Sequence, residues 1–156
     1  MDNKILHKYC ANISKQLNNI IPVSWDYIEM YYENIDNVML ANFYFSYDKK
    51  IYYSGNIYRD FNISENNYIN KMNKLILCCE KLYNAFTDKK WEAMYFSVDK
   101  NFKYNIEYKN KVDNSITMSE REILWSYSKL NIIPTNKYDI DFLEKYMNIK
   151  IKNTGE

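Results

Sequence analysis

Apolar residues recur at spacings of three and four along the first twenty positions, with Ile5, Tyr9, Ile13, Leu17 and Ile20 on one side. That period predicts an amphipathic helix from Asp2 to Ile21, ended by Pro22. From Trp25 to Glu33 the period drops to two: Trp25, Tyr27, Glu29, Tyr31 and Glu33 share one face and Ile28, Met30 and Tyr32 the other, which predicts a strand. Asn34 to Asn37 supplies a turn, Val38 to Tyr47 a second alternating strand, and Asp48-Lys49-Lys50 a hairpin into a third strand from Ile51 to Ser54. Connections this short join only antiparallel neighbours, so the three strands form a meander.

The helical period returns at Ser64, which caps a helix whose stripe is Tyr68, Met72, Leu75, Ile76, Cys79, Leu82, Tyr83 and Phe86. Trp91 to Val98 and Phe102 to Tyr108 then predict a second hairpin across Asp99-Lys100-Asn101, with Lys103, Asn105 and Glu107 on a wet face. Ser119 with Glu122 has the spacing of a capping box, so another helix is expected from Ser119, ending before Pro134, with a last short helix from Ile140 to Tyr146. The chain therefore reads as one α+β domain over residues 1–156. About five mainly antiparallel strands in two units are covered by the long central helix and by N- and C-terminal helices.

Composition adds three constraints. A chain of 156 residues, 47% of them hydrophobic, can build a full core without metal or disulfides. Net charge is +1, which gives no overall footprint for nucleic acid or an anionic membrane. The cysteines are Cys10, Cys78 and Cys79, an odd set with two adjacent members, which predicts reduced thiols and a cytoplasmic protein. The first residues lack the apolar run of a signal peptide, and no stretch of 18 apolar residues occurs. Seventeen tyrosines suit a core and an interface equally, and a composition rich in Asn, Lys, Ile and Tyr is also what AT-rich coding produces, so the total assigns no surface.

The chain offers little catalytic chemistry. His7 is the one histidine, with no second ligand at metal spacing, and Gly55 and Gly155 are the only glycines, too few for a phosphate-cradling loop. Cys78-Cys79 is not a Cys-x-x-Cys motif, and the pairs Asp139/Asp141 and Glu120/Glu122 stand two apart on helices, facing different ways. No catalytic residue, cofactor or metal is expected, and the protein is read as a non-enzyme.

Charge is uneven, however. Between Lys15 and Lys49 there is no basic residue, while Asp26, Glu29, Glu33, Asp36 and Asp48 fall inside that interval. The first hairpin is thus acidic, and Tyr27 and Tyr31 alternate with Glu29 and Glu33 on one face. With Glu29 and Glu33 solvent-exposed, Tyr27, Glu29, Tyr31, Glu33 and Asp36 make a candidate surface for a basic partner. A different class of function also uses exposed aromatics: a single-stranded nucleic-acid-binding module would stack bases on them and meet phosphates with Lys49-Lys50, Lys89-Lys90 and Lys109 to Lys111.

The segment from Trp91 through Phe102-Lys103-Tyr104-Asn105-Ile106-Glu107-Tyr108 and the run Ser119 to Tyr127, with Arg121, Trp125 and Tyr127 as its most specific residues, resemble the YezG-like family of bacterial immunity proteins. Leu130-Asn131-Ile132-Ile133-Pro134, the helix ending at Ile21-Pro22, Trp25, and Ile51-Tyr52-Tyr53-Ser54 extend the likeness along the chain. The resemblance implies an antitoxin that binds and stoichiometrically inhibits the nuclease domain of an exported toxin, without catalysis. Arg121 and Trp125 are secondary candidates for the partner surface. Asn101 and Asn131 stand where the family commonly has glycine, and Asn tolerates the left-handed conformation such positions need.

Overall fold

The computed structural model describes residues 1–88 and 90–152, so Lys89 of the second lysine-rich loop lies outside the described residues. The chain divides into two units, one spanning Met1–Lys111 and the other beginning at Val112. In the first unit, α1 (Asn3–Ile20) precedes a meander of β1 (Tyr27–Ile35), β2 (Val38–Tyr47) and β3 (Lys50–Tyr53). A 3-10 turn (Ser54–Asn56), the one-turn helix α2 (Ile57–Asp60) and the long helix α3 (Glu65–Ala85) lead into the hairpin of β4 (Ala93–Asp99) and β5 (Tyr104–Lys109). Among the described residues the strands form one five-stranded antiparallel sheet in the order β3-β2-β1-β4-β5.

Both turns of the meander are two residues long with positive φ at each position, 50° and 65° at Asp36 and Asn37 and 49° and 62° at Asp48 and Lys49. This is the type I′ geometry, whose twist matches that of the flanking strands. It sets β2 at the expected Val38–Tyr47. The third strand stops at Tyr53 because the Ser54 hydroxyl accepts the Phe43 N–H at 3.1 Å, in the place of a ladder carbonyl. The second hairpin closes over Lys100-Asn101-Phe102, and the left-handed residue is Phe102 (φ 59°) rather than Asn101. A three-residue loop of this kind is a type I turn followed by a left-handed residue, so the strain falls one position later than the sequence suggested. Asp99 Oδ1 accepts from the N–H groups of Asn101 and Lys103 at 2.8 and 3.0 Å and holds the loop.

The core lies on one face of the sheet. Ile28, Met30 and Tyr32 of β1, Ala41, Phe43 and Phe45 of β2, and Met94, Phe96 and Val98 of β4 meet the buried stripes of α1 and α3. The stripe of α3 is the one read from its period, with Met72, Leu75, Cys79 and Leu82 buried. That of α1 keeps Tyr9, Ile13, Leu17 and Ile20 on the core side as expected, but Ile5 is exposed and Leu6 and Cys10 pack inward near the start of the helix. Trp25 lies outside β1 and belongs to this core, where its indole N–H donates to Asn18 Oδ1 at 3.1 Å and its ring meets Phe102 edge-on.

The second unit holds α4 (Met118–Leu130) and α5 (Lys137–Met147). The capping box at the start of α4 is made by Thr117 with Glu120, not by Ser119: the Thr117 hydroxyl accepts the Glu120 N–H at 3.2 Å and the Glu120 carboxylate accepts the Thr117 N–H at 2.7 Å. Asn131 ends α4 in the left-handed conformation (φ 54°), its N–H bonded to Tyr127 O at 2.8 Å, as its place before Ile-Ile-Pro suggested. No described helix is long and apolar enough to cross a membrane.

Candidate functional site

The acidic hairpin is positioned by β1, the central strand of the sheet. Since Ile28, Met30 and Tyr32 face the helices, Tyr27, Glu29, Tyr31 and Glu33 occupy the opposite face. Register places Glu29 between Tyr44 and Ser97, Tyr31 between Asn42 and Tyr95, and Glu33 between Leu40 and Ala93. Tyr27 and Glu29 are half-buried and Asp36 is exposed in the turn. Tyr31 is only 1% exposed and Glu33 is fully buried. The exposed position expected for Glu33 is therefore corrected: its carboxylate is bonded by Tyr31, whose ring packs beside Tyr95, and Leu40 and Ala93 flank it across the two ladders.

Burial of a carboxylate demands a donor. The Tyr31 hydroxyl donates to Glu33 Oε2. The Tyr31 and Tyr95 rings lie 5.8 Å apart, and burial pushes the Tyr95 phenol up, with the Glu107 and Glu33 charges adding to the shift. Tyr31 and Glu33 thus belong to a packed network behind the accessible residues. Where β1, β4 and β5 run side by side, Tyr27, Glu29, Ser97, Asp99, Lys103 and Asn105 line an open groove of about 350 Å³.

Arg121 and Trp125 lie on α4. The Arg121 guanidinium donates to the carbonyls of Asp113 and Ile116 at 2.9 and 2.6 Å, fixing the segment that leads into the helix, and Trp125 is buried. Of the lysine-rich loops, Lys49, Lys50 and Lys109 are exposed, Lys90 lies over the Tyr83 ring at 4.7 Å, and Lys111 pairs with Glu92 at 2.7 Å.

His7 Nδ1 stands 3.2 Å from the Tyr104 hydroxyl. Burial pushes the Cys10 thiol up to about 11 and Cys79 well above the ordinary range, so both are protonated near neutrality and are weak nucleophiles. Among the described residues no three His, Cys, Asp or Glu side chains are grouped to hold a metal ion.

Comparison with known proteins places this architecture. Residues 6–144 match the family described as Immunity protein YezG-like. The chain is 29% identical over 154 residues to Immunity protein YezG of Bacillus spizizenii strain W23, covering 94% of this chain and 96% of that protein. It is 25% identical over 144 residues to Immunity protein YezG of Bacillus subtilis strain 168, covering 88% of this chain and 95% of that protein. The match takes in the acidic hairpin, the long helix, α4 and most of α5, and the chain belongs to the YezG-like family of immunity proteins.

Proposed function

We propose that this protein is a cytoplasmic antitoxin, working as one functional module over residues 1–156, that binds a secreted bacterial nuclease toxin and inhibits it stoichiometrically. The observation that carries the reading is the family match over residues 6–144, which spans both units and joins the chain to relatives named as immunity proteins. The acidic hairpin supports the choice of a nuclease. A surface that holds DNA or RNA is basic, and a competitor for it gains association rate from carboxylates at its rim. Tyr27, Glu29 and Asp36 make the direct contacts in this reading, with Tyr31 and Glu33 as the rigid backing that orients β1. Arg121 orders the start of α4, Trp125 is buried on that helix, and both serve the interface through it.

The test is a titration of the nuclease domain of a candidate cognate toxin with the purified protein. Nuclease activity should fall linearly to zero at one equivalent, and co-expression should rescue cells from the toxin. Steeply salt-dependent binding of single-stranded DNA or RNA by this protein, with no complex with the nuclease, would instead favour a nucleic-acid-binding module. Hydrolysis of nucleic acid by the protein alone, abolished by a change at one of its own carboxylates, would make it an enzyme.

A further inference from the structure

Helix α5 carries Tyr138, Phe142 and Tyr146 at spacings of four, which sets three aromatic rings along one side. Such a stripe is ordinarily the buried side of an amphipathic helix. Here the buried residue of α5 is Leu143, while Tyr138 is 71% and Tyr146 44% exposed. The rings are nonetheless held. Those of Phe142 and Tyr146 stand 5.6 Å apart, the Tyr146 hydroxyl donates to Asp113 Oδ2 at 2.5 Å, and the Tyr138 hydroxyl reaches Glu120 Oε1 at 3.5 Å. Both carboxylates are themselves fixed, Asp113 by the N–H and hydroxyl of Ser115 and Glu120 by the capping box of α4.

Two exposed tyrosines, each set against an anchored carboxylate, form a surface with a definite chemistry. Rings already held in place lose little freedom when a partner arrives, and tyrosine is among the residues that carry most interface energy. A cation lying over a tyrosine face gains from the ring quadrupole, and the neighbouring carboxylate adds direct attraction. On the same helix Lys137 is engaged by Asp141 at 2.5 Å. Lys145, seven residues after Tyr138, lies on the stripe side and opposes the negative charge.

We propose that Tyr138, Phe142 and Tyr146, with Asp113 and Glu120, form a docking surface for a Lys- and Arg-rich segment of the toxin's nucleic-acid-binding face. The proposal rests on the reading of the partner as a nuclease. It adds contact residues in the second unit, among them Asp113, whose carbonyl the Arg121 guanidinium holds at 2.9 Å.

The probe is the catalytically inactivated nuclease domain of the candidate cognate toxin used in that titration, with association and dissociation rates measured against the full chain. The double variant Tyr138→Ala, Tyr146→Ala should dissociate about tenfold faster or more, as truncation of hot-spot side chains does. Tyr138→Ala alone, at the more exposed position, should show part of that effect with an unchanged melting temperature. Lys145→Glu should speed association at low salt. Wild-type binding with rates unaltered, within about twofold, by the double variant and by Lys145→Glu would overturn the inference and leave the nuclease reading standing. Failure of the wild-type chain to bind the nuclease would overturn the reading and the inference together. Loss of a homodimer in the double variant, with toxin binding intact, would assign the stripe to a second copy of the chain and overturn the proposal as well.

Discussion

Asp113 shows how local hydrogen bonds set the behaviour of one side chain. The Ser115 hydroxyl, then Tyr146 and the Ser115 N–H, hold its carboxyl at about 2, below its ordinary 3.8. A carboxyl depressed in the folded state contributes stability above its unfolded value, and that contribution is lost as pH falls from near 3.8 through about 2. The wild-type melting temperature should therefore drop more between pH 4 and pH 2 than that of Asp113→Asn, and parallel curves for the two proteins would refute the assignment. The thiols give the complementary case. Burial raises Cys10 to about 11 and Cys79 well above its ordinary value, whereas Cys78 is half-buried and less shielded. A thiol reagent at pH 8 should modify Cys78 first, leave Cys10 and Cys79 until the chain unfolds, and count three free groups in denaturant. A native bridge between any two would contradict the reduced state.

At the scale of elements, caps and turns decide where the helices and strands stop. Two Ser/Thr-x-x-Glu patterns overlap at the start of α4, Thr117 with Glu120 and Ser119 with Glu122, and periodicity alone does not choose between them. Thr117 prevails in the structure, so Thr117→Ala should cost about 1 kcal/mol in urea denaturation. Ser119→Ala should stay within about 0.5 kcal/mol, as surface changes away from caps do. The reverse order would restore the cap to Ser119. Elements with several periods of pattern could be read from the sequence, as α3 and β2 show. What escaped was short or depended on geometry: α2 has four residues, too few for a helical period, and at the start of α1 Leu6 and Cys10 meet the core in place of Ile5.

For the whole molecule, the acidic hairpin was evident as a gap in basic residues, but the accessibility of its side chains was not. Accessibility depends on what packs against each face, and the pairing of β1 with β4 joins residues sixty or more positions apart, a contact that no local pattern encodes. It places Tyr31 beside Tyr95 and Glu33 beside Ala93, so a charge change at Glu33 tests folding rather than recognition. The informative variants are Asp36→Lys, in the exposed turn, and its combination with Glu29→Lys on the half-buried part of the strand. Reversing rim charge acts on encounter, so association with the nuclease domain should slow by roughly tenfold at low salt and lose much of its salt dependence, with little change in dissociation. Circular dichroism should confirm the fold of each variant, Asp36→Lys being the cleaner of the two because its side chain lies in solvent. If both variants associate with the nuclease at the wild-type rate at low salt and still protect cells, the first hairpin is not part of the partner surface, and the charge gap between Lys15 and Lys49 has no role in recognition.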